Sequence, residues 1–140
     1  GKRYLFDGDG SERASIKAVG NYIYEPDSSL IRSQLLGEFA NQLNLSSVSD
    51  GIAYLTNDEL VESPWLKTYE VLENLPLDEA AIRMSLAARG IGKLEIKKRG
   101  VDITPEQLRP KLRLKGEGAA SLILTKIGDA RRALIVQPIR

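Results

Sequence analysis

No cysteine and no histidine occur in this chain of 140 residues. The first absence excludes disulfides and thiolate metal sites, and it suits a reducing compartment. The second removes the commonest general base and the commonest metal ligand. Ser-His-Asp chemistry cannot be built without it, however many serines are present. Aromatic residues are 6% of the chain, and residues 80–140 hold no Phe, Tyr or Trp. No apolar run approaches about 18 residues and no charged-then-apolar leader is visible. A cytoplasmic protein without membrane or metal is therefore expected.

What is present is ordinary in bulk and lopsided in charge. Apolar residues make up 42% and charged residues 28%, with a formal net charge of +1. That +1 conceals two halves: residues 1–79 sum to −8 and residues 80–140 to +9. The positive half is densest from Arg83 to Lys115, where ten bases meet three acids. Charge asymmetry is an argument about partners, and one end of this molecule attracts polyanions.

Periodicity divides the chain into elements. Asn21 to Tyr24 reads as a short strand. Ile31, Leu35, Phe39 and Leu43 recur at i+4 and predict one helix over 29–43. Asn44 to Gly51 reads as polar loop, Ile52 to Thr56 as a buried strand, and Thr68 to Leu75 as a strand ending at Pro76. Asp78 is a good N-cap for a helix over 79–89 that stops at Gly90, with Leu77 stapled onto Ile82. Lys93 to Lys97 alternates as a half-buried strand. Thr104, Pro105 and Gln107 form a helix start with a capping box. Pro110 shortens that helix to about 105–112, kinked or loosened there. Gly128-Asp129 joins two closing strands as a hairpin. The order predicts an α+β fold: a small mixed β-sheet with helices packed on it, preceded by an acidic α/β linker lobe. The boundary is expected at the charge reversal, giving residues 1–76 and 77–140.

No residue makes a catalytic case. Asp7-Gly8-Asp9-Gly10-Ser11 resembles a calcium loop, but Glu12 and Ala18 stand where Gly and Glu are required, so a turn is expected. Gly116-Glu117-Gly118 resembles a phosphate loop, yet Ser121 replaces the third glycine and a strand follows, so a plain turn is expected. Asp58, Glu59, Glu62, Glu70 and Glu73 read as a solvated acidic face. The segment is expected to bind rather than transform. Lys93, Lys97, Lys98, Arg99, Arg109, Lys111, Arg113 and Lys115 are the candidate phosphate contacts. Lys93, Lys97 and Arg99 project from one strand face; Lys98 shares the parity of Leu94 and Ile96 and falls at the strand's end. Arg109 and Arg113 would be i,i+4 partners on a continuous helix. Without aromatics in this half, nucleic acid would be read by backbone and shape rather than by stacked bases. The bland alternatives are a solvated sheet face, or bases that dock an acidic surface, this chain's own N-terminal half included.

The run from Gly90 to Gly100, with Thr104 to Arg109, Leu112 to Gly116 and Leu122 to Thr125, resembles the THUMP-like domain that closes a family of bacterial class I SAM-dependent methyltransferases. Tyr24 to Asp27, Ile31-Arg32, Ile52 to Thr56 and Tyr69 to Leu72 resemble the segment linking the methyltransferase core to it. Pro110 departs from that pattern, where a basic or helix-forming residue is expected. The resemblance implies a C-terminal, non-catalytic domain that holds RNA for a methyltransferase domain using SAM, the SAM loop lying outside this sequence. The second reading is a structural module docking the methyltransferase core or an acidic partner. The third, an independent enzyme, has no residues to support it.

Overall fold

The computed structural model describes residue 14 and residues 16–139. The expected turn at Asp7 to Ser11 lies outside them. Seven strands form one sheet: β1 (Tyr22–Pro26), β2 (Ser46–Ser47), β3 (Leu55–Asn57), β4 (Leu66–Pro76), β5 (Ile91–Arg99), β6 (Gly118–Ile127) and β7 (Ala130–Pro138). Their order is β2-β3-β1-β4-β7-β6-β5. Of these strand pairs β5–β6 is parallel, joined by a crossover through α4 (Pro105–Leu112), and the other pairs are antiparallel. Helices α1 (Ser28–Arg32), α2 (Leu36–Gln42) and α3 (Glu79–Ala88) complete the fold. It is α+β with a mixed sheet, as the element order predicts. β4 ends at Pro76 and pairs with β7, so the acidic and basic halves share the sheet.

Strand alternation separates the cores. Leu94 and Ile96 of β5, Leu122 and Leu124 of β6 and Ala133 and Ile135 of β7 face α3 and α4, meeting Ile82, Leu86, Leu108 and Leu112. Leu77 packs on this cluster, of which Ile82 is a member. Ile123, Leu134 and Val136 point to the opposite face, where they meet Ile23, Tyr69, Val48 and Tyr54. Tyr24 and Leu55 pack under Leu30, Phe39 and Ala40 of the first two helices.

The sheet is strongly coiled. Lys97 on β5 and Glu25 on β1 are 3.2 Å apart, although β6, β7 and β4 lie between them in the sheet. At about 4.8 Å per strand, a flat sheet would hold their backbones about 19 Å apart, more than the two side chains together can span. The curl closes around the second core. The segment after β2 helps close it: the Gly128 amide donates to the Val48 carbonyl at 2.7 Å, and the Ser49 hydroxyl donates to the Gly128 carbonyl at 2.6 Å.

Three expectations need correction. The single helix over 29–43 is two helices, broken where Gln34 takes φ 63°. The Ser33 hydroxyl donates to the Leu30 carbonyl and accepts from the Leu35 amide, offering the backbone an alternative to helix continuation. The strand expected at 52–56 is β3, shifted to Leu55–Asn57, because Ile52 and Tyr54 turn into the second core. The loop expected at 44–51 contains β2 and the buried Val48.

Candidate nucleic-acid interface

The candidate cations fall into two groups. The first sits at the C-terminal end of β5. Lys97 is half-buried, with its Nζ 3.2 Å from Glu25 and 3.7 Å from Glu95. Burial works against its charge, but the hydrogen bond and negative charge of Glu25 outweigh that, and its pKa stands above the usual lysine value. The ring of Tyr69 lies beneath the same ammonium, 6.0 Å to the centroid. Arg99 stands 5.5 Å over the ring of Tyr54. Burial first, and then the charge of Glu25, push the Tyr54 hydroxyl up to about 12. Lys98 is exposed on the other face and donates to the Val101 carbonyl at 3.4 Å. It lies inside β5, one residue short of its end, because pairing with β6 runs on to Arg99.

The second group sits on and after α4. This helix starts as its sequence demands: the Thr104 hydroxyl accepts from the Gln107 amide and the Gln107 side chain accepts from the Thr104 amide. Leu108 and Leu112 face the core, which leaves Arg109 and Lys111 in solvent. Lys111 is 3.7 Å from Glu79 of α3, and its carbonyl accepts from Arg83 at 3.1 Å. The helix ends at Arg113 in the left-handed region, φ 50°. The i,i+4 relation expected between Arg109 and Arg113 therefore does not form.

A glycine crossing sets the position of Lys93 and Lys115. Gly116 lies so close to Gly90 and Gly92 that a Cβ on Gly92 would overlap the Gly116 carbonyl. The Gly118 amide donates to the Gly90 carbonyl at 2.9 Å. Gly116-Glu117-Gly118 is thus a point of backbone contact, in keeping with the plain turn expected there. It brings Lys93 and Lys115, the next residues outward, to the same end of the fold. Lys93, Arg109, Arg113 and Lys115 are exposed and have no carboxylate partner among the described residues.

None of the eight cations pairs with Asp58, Glu59, Glu62 or Glu70 among the described residues; Glu25, Glu79 and Glu95 are the acids that reach them. Glu73, expected on a solvated face, instead accepts from the Ser85 hydroxyl and from Arg89 Nε at 2.9 Å. Those bonds hold its carboxyl below the usual range. Two contributors were missed from sequence. Tyr54 and Tyr69 belong to the acidic half, yet they lie under Arg99 and Lys97, giving the basic strand the aromatic rings its own half lacks. No local pattern signals this, since the contacts arise from sheet curvature.

Among the described residues no group of His, Cys, Asp or Glu gathers to hold a metal. No helix there is long and apolar enough to cross a membrane. The fold and cations define a mixed-sheet domain with a basic edge. Residues 66–138 match the family described as THUMP domain-like, and the chain belongs to that family. It is similar to a protein named an uncharacterized S-adenosylmethionine-dependent methyltransferase in Mycobacterium tuberculosis strains CDC 1551 and H37Rv. Identity with each is 36% over 120 residues, covering 86% of this chain and 33% of the relative. The chain therefore spans about a third of the length of the curated relatives it matches. It shares its fold with the crystal structure of a "putative methyltransferase from Porphyromonas gingivalis W83", with TM-score 0.75, 18% identity, and coverage of 92% of this chain and 32% of that one. The domain is thus associated with methyltransferases, as the sequence resemblance implies.

Proposed function

We propose that this chain is the RNA-holding, non-catalytic part of a SAM-dependent RNA methyltransferase. The observation that carries it is that Lys93, Arg109, Arg113 and Lys115 are each open to solvent and unopposed by carboxylates among the described residues. Such cations neutralise backbone phosphates and release counterions. Lys98 and Arg99 extend the contact surface, while Lys97 and Lys111 engage it only as far as Glu25 and Glu79 release them. Residues 1–76 serve as the lobe that links to the methyltransferase core, and residues 77–140 face the RNA. A shared sheet makes that lobe a stiff spacer rather than a flexible tether. SAM belongs to the catalytic part, and no residue of this chain is assigned to it. The setting is cytoplasmic, in keeping with the cysteine-free composition.

Fluorescence anisotropy with a structured RNA tests the reading. Binding is expected near micromolar at low salt, weakening steeply as salt rises. Lys93→Gln with Lys115→Gln should weaken it about tenfold or more. Binding that is indifferent to salt sinks the proposal. One observation favours a second reading, a docking module for the methyltransferase core or an acidic partner: Lys97 and Lys111 already hold carboxylates. Salt-sensitive capture of the catalytic part with no RNA affinity would select it.

A further inference from the structure

The coil of the sheet creates a second concentration of positive charge, apart from the α4 surface. Where β5 ends against β1 and β4, a cleft is lined by Glu25, Asp27, Trp65, Lys67 and Arg99, among others. Lys67 and Lys97 both approach the ring of Tyr69, at 5.5 and 6.0 Å to its centroid. Arg99 stands over Tyr54. Thus Lys67, Lys97 and Arg99 converge on two tyrosines and two carboxylates. Glu25 is met by a cation, whereas Asp27 is met by neutral donors that lower its pKa and leave its charge in place, so three cations face two anions here. Glu25 holds Lys97 at 3.2 Å, and Asp27 accepts from the amide and hydroxyl of Ser29 at 2.8 and 2.5 Å. Neither Lys67 nor Arg99 has a carboxylate within ion-pair distance among the described residues.

A half-buried guanidinium over a ring, with an unpaired ammonium lining the same cleft, is an arrangement suited to a tetrahedral dianion or a phosphodiester. Arginine forks onto two oxygens, and lysine supplies a point charge beside it. The rings hold the cations in place without neutralising them. We infer that the cleft between β1, β4 and the end of β5 is a phosphate-binding seat in which Arg99 and Lys67 are the ligands and Lys97, fixed by Glu25, sets the local field. The seat goes beyond the RNA reading: the phosphate is either a link of a bound strand or a free phosphate or small phosphoester. Its chemistry stands even if the α4 surface never meets RNA.

The test is a titration of the 15N-labelled chain at constant ionic strength, with inorganic phosphate in one arm and a short 5′-phosphorylated oligoribonucleotide in the other. Saturable movement of the amides of Lys67, Arg99 and Gly100 is expected in at least one arm. Arg99→Gln should weaken it about tenfold, the size of one lost charge-assisted bond. Arg99→Lys should fall between. Should Arg99→Gln fail to fold, Lys67→Gln at an exposed position reads the same loss. A strand that saturates at tenfold lower concentration than phosphate assigns the seat to RNA; phosphate that binds where the strand does not assigns it to a small ligand. Shifts confined to Lys93 and residues 109–115, shifts that never saturate, or wild-type affinity in Arg99→Lys and Lys67→Gln overturn the inference. RNA affinity lost in the Lys93 and Lys115 variants but kept in the Arg99 variants, with no saturable phosphate shift at Arg99, would remove the seat and leave the proposed function standing.

Discussion

Lys97 and Glu25 are separated by 72 positions in sequence yet form the ion pair that closes the curl of the sheet. Their side chains are 20% and 21% exposed, so the pair lies between a solvent-screened contact and a buried one. Exposed pairs contribute about 0–1 kcal/mol, while breaking a buried pair costs about 3–5 kcal/mol. Glu25→Gln is therefore expected to destabilise the fold by about 2 kcal/mol, measured as a lowered urea midpoint. Glu73 has the acid-side effect. Its folded pKa lies below the ordinary value of 4.5 because Ser85, first, and Arg89 hydrogen-bond its carboxylate. A depressed folded pKa stabilises above the unfolded value, and that contribution is lost as pH falls through the folded one. Wild type should exceed Glu73→Gln in stability at neutral pH, and the two should converge as pH falls through the lowered folded pKa, in denaturation midpoints taken across pH. The capping box at Thr104 was legible in sequence because all its partners lie within four residues. The Lys97 and Glu73 contacts were not, since each joins residues that only the fold brings together.

Among elements, those with local punctuation were read closely and those bent by packing were not. α4 runs over Pro105–Leu112, the span its cap and Pro110 predict. Pro110 lacks the amide that would bond the Glu106 carbonyl, and an interior proline costs about 3 kcal/mol against alanine. Its side chain is exposed, so Pro110→Ala removes little packing. That substitution is expected to stabilise by about 1 kcal/mol or more, seen as a higher midpoint in chemical denaturation. The glycine crossing predicts the reverse. Gly116 has φ 132°, and a Cβ there would overlap the Gly90 carbonyl. Gly116→Ala should cost at least about 2 kcal/mol in the same measurement. The 29–43 helix was misjudged because apolar spacing alone does not register a kink. Two short helices with Gln34 at positive φ present Leu36 and Phe39 to the same core as Leu30.

For the whole molecule the charge asymmetry governs how the proposed RNA complex responds to salt. Four open cations, Lys93, Arg109, Arg113 and Lys115, set the scale of salt dependence. At about 0.7–0.9 counterions per phosphate, log K against log salt should slope at about −3 to −4 if each finds one phosphate. Lys93→Gln should reduce that slope by about one, read by anisotropy across a salt series. The sequence alone determined the α+β class, the terminal hairpin, the α3 and α4 starts, and the concentration of cations from Arg83 to Lys115. These follow from period, caps, turns and composition, all of which act over a few residues or by simple counting. The tertiary structure decided which cations are open and which are tied. Sheet coiling brings Glu25, Tyr54 and Tyr69 from the acidic half against Lys97 and Arg99, and the glycine crossing draws Lys93 to Lys115. Both depend on strands pairing across long separations, and no local pattern carries the curvature that such pairing produces.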